Sequence, residues 1–331
     1  MNKVVSSVLR IGIPLIVAVL LLWFAFRNVA FDEFLEKSKE TNYWWVVASI
    51  LLSLVGYATR AYRWNLLLTP IGYKITTYRT SLAVLIGYLA NIAFPRLGEV
   101  TRCAILKRTD NVPMTTSIGT VITERLLDAV TLLVLIGLSF VLEYDTITTF
   151  MVGILEDYNI DVSKLIYGGI GLLVVFGVTA AIFLTRNNQF TSKLKVWLLE
   201  LYKGIKSINQ VEKLGMFIFS TILLWMIYYL MAYIIVFSLP ETAFLTPSAG
   251  FLLLVTGGIA LALPVQGGIG TYHAMVSALL MLYGIDQTTG LFLATLLHTS
   301  QIFAIAVFGG LALLLSFLIK PVPKSTDEQP S

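Results

Sequence analysis

The chain alternates long apolar runs with short polar loops. Six runs, at residues 9–26, 43–62, 121–142, 165–185, 216–239 and 290–319, approach or exceed the roughly 20 residues a helix needs to cross a bilayer. Two further apolar regions, 80–108 and 248–284, are each split near the middle. The first break reads Ala93-Phe94-Pro95-Arg96-Leu97-Gly98-Glu99 and the second Ala262-Leu263-Pro264-Val265-Gln266-Gly267-Gly268. The halves on either side of each break run to only about 12 to 17 residues, nearer the length of a re-entrant segment than of a full crossing. A helix interrupted at membrane depth frees backbone N–H and C=O groups that protein or trapped water must satisfy, so such breaks tend to sit at a transported substrate.

The predicted architecture is an all-α polytopic membrane protein with six full spans and two opposed re-entrant hairpins. A plain hydropathy count gives seven to eight spans. Span, hairpin, span recurs over 43–142 and 216–319 with the hairpins entering from opposite sides, which reads as an inverted repeat within one transmembrane domain over 1–320. Between the repeats, residues 190–208 carry Phe190, Leu194, Trp197, Leu198, Leu201, Ile205 and Ile208 on one helical stripe. That pattern predicts an amphipathic helix on the cytoplasmic surface. The tail, 321–331, is polar and expected to be disordered.

Basic residues concentrate in cytoplasmic loops. Residues 60–79 carry Arg60, Arg63, Lys74 and Arg79 without an acid, whereas 143–164 carry Glu143, Asp145, Glu156, Asp157 and Asp161 against Lys164. The first loop is therefore expected inside and the second outside, which places both termini in the cytoplasm. Lys3 and Arg10 precede the apolar stretch Ile11 to Phe26, but no small-residue cleavage site follows it, so a retained first helix is expected.

Composition agrees with the pattern. Hydrophobic residues make up 57% of the chain, charged residues 13%, and the mean hydropathy is +0.84. A soluble domain carries about 25% charged residues. Cys103 is the only cysteine, which excludes an internal disulfide, and with two histidines the chain is poor in ligands for a usual metal cluster. No cofactor, metal or nucleic-acid partner is expected.

The candidate chemistry lies at the breaks. Arg96, Glu99 and Arg102 follow Pro95 at spacings of three, with Gly98 between the first two, so they share a helical face. A helix beginning at Pro95 aims free N–H groups at the break. Two arginines and a helix N-terminus suit a phosphate, because the guanidinium fork holds two oxygens and keeps its charge when partly dehydrated. Glu99 then neutralises the arginines or contacts an amine or hydroxyl, and Asn91 caps freed backbone groups. The competing reading is an interfacial charge cluster snorkelling to water.

Glu124, Arg125 and Asp128 open the next crossing and stand between two roles, a structural ion-pair set clamping the first hairpin or a substrate contact. Arg60 and Arg63 likewise have two readings. They anchor the span at the cytoplasmic face, with Tyr62 and Trp64 in the aromatic belt, or they attract an anionic headgroup. In the second break, Pro264 is followed by Gly267, Gly268 and Gly270, which permit a tight turn. Gln266, Thr271, Tyr272 and His273 supply neutral polar contacts there. His273 is read chiefly as a hydrogen-bonded structural histidine, with proton coupling as the alternative. His298, Ser300 and Gln301 are candidates to line the same cavity.

Four stretches resemble the flippase-like membrane family named for the transmembrane region of lysylphosphatidylglycerol synthase. They are residues 91–102 (N-I-A-F-P-R-L-G-E-V-T-R), 123–128 (T-E-R-L-L-D), 60–68 (R-A-Y-R-W-N-L-L-L) and 263–271 (L-P-V-Q-G-G-I-G-T). The resemblance implies a polytopic inner-membrane protein, and some such proteins move an aminoacylated phospholipid between leaflets. The family often carries an acidic residue shortly after the last glycines, where this chain has Tyr272 and His273. With about a dozen residues after 319, the transport module without the synthase domain is expected.

Without a G-x-x-x-x-G-K-[ST] loop, the leading expectation is a non-enzymatic lipid flippase or scramblase driven by an ion gradient, the membrane potential or the lipid gradient. Its substrate would be a phospholipid or isoprenoid-phosphate lipid. One alternative is a non-transporting partner of a separately encoded glycosyltransferase or envelope-lipid synthase. Another is a membrane transferase, for which Asp157 and Asp161 are the nearest acids.

Overall fold

The computed structural model describes residues 20, 22–23, 26–27, 31–94, 97–149, 211–263, 265–319 and 321–322. Most of the expected first helix (9–26), the span 165–185, the surface helix 190–208, most of the tail, Pro95, Arg96, Pro264 and the Gln266 side chain lie outside the described residues. The chain divides into two compact units, Met1–Glu124 with Val211–Ser331, and Arg125–Gln210.

The described elements are helical. They are α1 (Phe31–Glu40), α2 (Tyr43–Leu68), α3 (Thr77–Ala93), α4 (Leu97–Asp110), α5 (Met114–Leu142), α6 (Leu214–Tyr233), α7 (Pro247–Ala262), α8 (Thr271–Met281) and α9 (Gln287–Leu318), with short 3-10 turns at Thr69–Ile71, Ile234–Ser238 and Gln266–Gly268. Side-chain caps fix several starts. Asn42 accepts from the Trp44 N–H ahead of α2, Thr76 from Arg79 ahead of α3, Thr246 from Ala249 ahead of α7, and Asp286 from Thr289 ahead of α9. Each satisfies one of the donors a helix leaves free at its first turn.

Among the described residues, four helical stretches are long and apolar enough to cross a membrane: Tyr43–Ile71, Met114–Leu142, Leu214–Ser238 and Gln287–Leu318. The helices on either side of the two breaks are short, and of these α7 and α8 are apolar. With 17, 14, 16 and 11 residues, α3, α4, α7 and α8 extend only about 16 to 26 Å at 1.5 Å per residue. A hydrocarbon core is about 30 Å thick.

Two helix pairs open toward opposite ends of the first unit. At one end, Arg79 of α3 donates to the Thr109 carbonyl at 2.8 Å and pairs with Asp110 at 2.8 Å, so the start of α3 meets the end of α4. Arg108 reaches the Ser316 carbonyl and hydroxyl at 3.0 Å, bringing the end of α9 there too. At the other end, Asn42 donates to the Ser238 carbonyl at 2.8 Å, Lys37 pairs with Glu241, and Thr288 donates to Glu33. From that end α7 enters, and α8 returns to it. Between the two ends, α3 packs against the 3-10 turn Gln266–Gly268 that follows α7.

The core follows the same geometry. Ala61, Trp64, Leu68, Ala83, Val84, Cys103, Leu106, Val112 and Val121 form one buried cluster beneath the first pair, and Tyr57, Leu82, Leu85, Ile86 and Ala312 join α2, α3 and α9 in another. The α3/α4 pair is held close by glycines: a Cβ built on Gly98 would lie 2.2 Å from the Gly87 carbonyl oxygen.

Three expectations change. The helix expected to begin at residue 121 begins at Met114, so Glu124, Arg125 and Asp128 lie well inside α5. The stretch 60–79, read as a basic loop, contributes Arg60 and Arg63 to α2 instead, and both are buried. Trp64 is not in an aromatic belt at the surface: its side chain is completely enclosed. The heptad-like spacing from Ser53 through Arg60 and Arg63 keeps these residues on the inward face of α2.

Candidate functional site

Glu124 organises the first cluster. Its Oε1 lies 2.9 Å from Arg60 Nε and 3.5 Å from Arg63 Nη2, and its Oε2 accepts from Arg102 Nη1 at 2.9 Å. Glu124 and Arg63 are fully buried, and Arg60 and Arg102 are each only 5% exposed. Three guanidinium groups from α2 and α4 thus converge on one carboxylate from α5. Withdrawing such charges from water costs several kcal/mol per ion, and only close geometry with added hydrogen bonds offsets it.

The surrounding side chains hold two of the guanidinium groups in place. Arg60 also donates to the Tyr88 hydroxyl of α3 and lies over that ring at 5.8 Å. Arg102 lies over the Trp64 ring at 4.6 Å, a cation–π contact of about 0.5–2 kcal/mol. The Trp64 indole N–H donates to Thr120 Oγ1 at 2.9 Å, which locks the ring under the guanidinium. Arg102 Nη2 is buried and has no hydrogen-bond partner among the described residues. One edge of a fixed guanidinium therefore lacks an acceptor among the described residues.

Asn91 Oδ1 accepts from the Gly98 N–H at 2.6 Å, satisfying a donor at the start of α4. Glu99 is half-buried on the same helix. Arg125 and Asp128 form their own i,i+3 pair at 3.4 Å in the second unit. Of the residues expected around the first break, the structure brings together Arg102, Glu124, Arg60 and Arg63, and places Asn91 and Gly98 at the helix start.

The second break is a glycine turn tied down by histidines. Gly267, Gly268 and Gly270 have φ of 59°, 72° and 86°, a region where a Cβ is strained. His298 Nε2 of α9 lies 2.8 Å from the Gly267 carbonyl, and His273 Nδ1 accepts from the Gly270 N–H at 3.4 Å. Thr271 Oγ1 donates to the Ala260 and Gly268 carbonyls at 3.2 and 3.0 Å. Tyr272 stacks on His298 at 5.1 Å, and its ring fills the space over Gly257, where a Cβ would lie 2.8 Å from it. Thr271, Tyr272 and His273 are buried and hold the turn together. Ser300 bonds back to its own helix, while Gln301 donates to Ser49 Oγ of α2 at 3.1 Å.

Sequence reasoning did not single out Tyr88, Thr120 or Ser49. Each is a neutral residue in an apolar helix whose role comes from a partner 28 to 252 positions away.

Residues 11–309 match the lysylphosphatidylglycerol synthase transmembrane region. The chain belongs to that family of integral membrane proteins.

Two relatives are similar over part of their length. The glycosyltransferase AglD of Haloferax volcanii is 22% identical over 303 residues, covering 82% of this chain and 48% of that protein. The UPF0104 membrane protein MJ1595 of Methanocaldococcus jannaschii is 26% identical over 141 residues, covering 42% of this chain and 41% of that protein. The chain thus spans about half the length, or less, of the curated relatives it matches. No solved structure matches it.

Proposed function

We propose that this chain is a lipid flippase or scramblase rather than an enzyme, and that it binds the phosphate of a phospholipid or isoprenoid-phosphate headgroup while the lipid tail stays in the bilayer. The carrying observation is Arg102: a buried guanidinium held by Glu124 and Trp64 with Nη2 left without a hydrogen-bond partner among the described residues. A membrane-buried ionisable group of this kind normally faces a cavity or pathway, and arginine's fork suits phosphate oxygens.

In this reading α3/α4 and α7/α8 are re-entrant hairpins inserted from opposite leaflets, their short lengths falling below a full crossing. With residues 9–26 and 165–185 as further spans, the count is six crossings, an inverted repeat and two cytoplasmic termini in the inner membrane. The contact of α3 with the turn Gln266–Gly268 supports a meeting of the two breaks near the midplane, the geometry inverted-repeat transporters use for one central site. The headgroup would pass from one break to the other. Arg96, Glu99, Gln266 and Thr271 are the further groups assigned to its route.

Native mass spectrometry of the purified chain tests the binding step. Enrichment of one phosphate-bearing lipid in the wild type and its loss in Arg102→Gln supports the reading. A generic lipid profile unchanged by that substitution overturns it.

A second reading follows from the similarity to a protein named as a glycosyltransferase over about half its length. The chain would be a non-transporting membrane partner of a separate glycosyltransferase or lipid synthase. Stoichiometric co-purification of such an enzyme, together with no lipid movement by the isolated chain, favours it.

A further inference from the structure

The two histidines of the chain, His273 and His298, face each other at the second break with ring centroids 5.1 Å apart and planes at 89°. Their hydrogen bonds fix different roles. His298 Nε2 meets a carbonyl, Gly267 O, at 2.8 Å, so Nε2 carries the proton and donates. His273 Nδ1 accepts from the Gly270 N–H, so the neutral His273 carries its proton on Nε2.

Protonation has opposite consequences at the two rings. A second proton on His298 enters at Nδ1 and leaves the bond to Gly267 in place, now charge-assisted and stronger. A second proton on His273 must enter at Nδ1, which removes the acceptor from the Gly270 N–H. It would also set a cation at the N-terminus of α8, where the helix dipole disfavours positive charge. Once one ring is charged, the other faces a like charge across about 5 Å of protein interior, which opposes a second protonation.

Among the described residues, the groups around the pair are neutral. Tyr272 stacks on His298 from α8, Phe26 lies 6.3 Å from His273, and α7 presents Gly257 behind Tyr272. On α9, Ser300 and Gln301 flank His298 with neutral groups. Among the described residues, neither ring pairs with a charged side chain, and each ring is the other's electrostatic neighbour.

We infer that the pair is a one-proton site, in which His298 takes up the proton and thereby clamps the glycine turn to α9 while His273 stays neutral as the turn's acceptor. The inference rests on the proposed transport reading only for its consequence, that protons bias the second hairpin toward holding its glycine turn against α9. The proton site itself stands on hydrogen-bond geometry.

Two histidines make the test direct. The full chain, labelled with 15N-histidine in lipid nanodiscs, gives only two imidazole spin systems, assigned with His273→Gln and His298→Gln. Both should show the Nε2–H tautomer at about pH 8. Acidification to about pH 4 should add one proton, at His298, with its signal lost in His298→Gln and its titration retained in His273→Gln. Titration at His273 in preference to His298, independent protonation of both, or no titration of either overturns the inference.

A lipid-movement assay at two pH values separates the two claims. Loss of pH dependence in His298→Gln supports the coupling. One-proton titration without any lipid movement by the wild type leaves the proton site standing and overturns the flippase reading instead.

Discussion

Arg102 Nη1 donates to Glu124 Oε2 at 2.9 Å across the interface between α4 and α5, with both side chains withdrawn from solvent. The same carboxylate holds Arg60 and Arg63 from α2. Guanidinium groups from α2 and α4 thus converge on the Glu124 carboxylate. Neutralising it leaves guanidinium groups buried without that counter-charge.

Glu124→Ala is therefore expected to destabilise the chain by about 3–5 kcal/mol, the usual consequence of removing one partner of a buried ion pair. Thermal unfolding in detergent, followed by monodispersity on size exclusion, reads this as a lower Tm. Glu124→Gln keeps the shape and one acceptor oxygen, so its loss should be smaller. Equal Tm values for wild type and Glu124→Ala would contradict the cluster's structural role.

The α3/α4 pair depends on bare backbone contact. Gly98→Ala places a methyl 2.2 Å from the Gly87 carbonyl oxygen and 2.7 Å from Asn91, and the backbone cannot yield as a flexible side chain would. A loss of about 1–3 kcal/mol is expected from overpacking. Gly119→Ala is the control. Nothing lies within 4 Å of its added methyl, and in a helix the change should stabilise by about 0.5–1 kcal/mol. Paired Tm measurements with opposite signs check both.

The opposite end carries a pH-dependent contact. The hydrogen bond between Lys37 and Glu241 raises the Lys37 pKa above its ordinary 10.5 and lowers that of Glu241 below its ordinary 4.5, in each case against burial. The lowered Glu241 contributes stability that is full above its unfolded pKa and lost as pH falls through the folded value. The raised Lys37 contributes stability that is full below its unfolded pKa and lost as pH rises through the folded value.

The difference in stability between wild type and Lys37→Met should thus be level from about pH 5 to about pH 10 and shrink on both sides. Solvent reaches both side chains, so its size is at most about 1 kcal/mol. A Tm series across pH measures it. A difference that grows below pH 4.5 would contradict the assignment.

How much of this was legible in the sequence depends on range. The long apolar runs gave α2, α6 and α9 to within a few residues at most ends, because burial in lipid imposes continuous hydrophobicity over a fixed length. Pro and Gly marked both interruptions, because each acts on the local backbone. The fate of Arg60 and Arg63 was not legible. A basic pair at the end of an apolar run looks the same whether it anchors to water or turns inward, and the deciding partner, Glu124, is 61 residues from Arg63. The start of α5 was missed because Met114 to Thr120 is mixed in polarity and becomes helical only within the longer helix. Thr120, the partner of Trp64, lies in that overlooked stretch.

The central claim is that Arg102 offers its free edge to a lipid phosphate during passage between leaflets. Its most direct test is movement of headgroup-labelled phospholipid and isoprenoid-phosphate lipid in proteoliposomes, comparing wild type with Arg102→Gln after both are shown to be folded and equally reconstituted. A charged hydrogen bond contributes about 1.5–3 kcal/mol, so the variant should move its lipid about 10- to 100-fold more slowly. A folded Arg102→Gln protein that moves lipid at the wild-type rate would contradict the account.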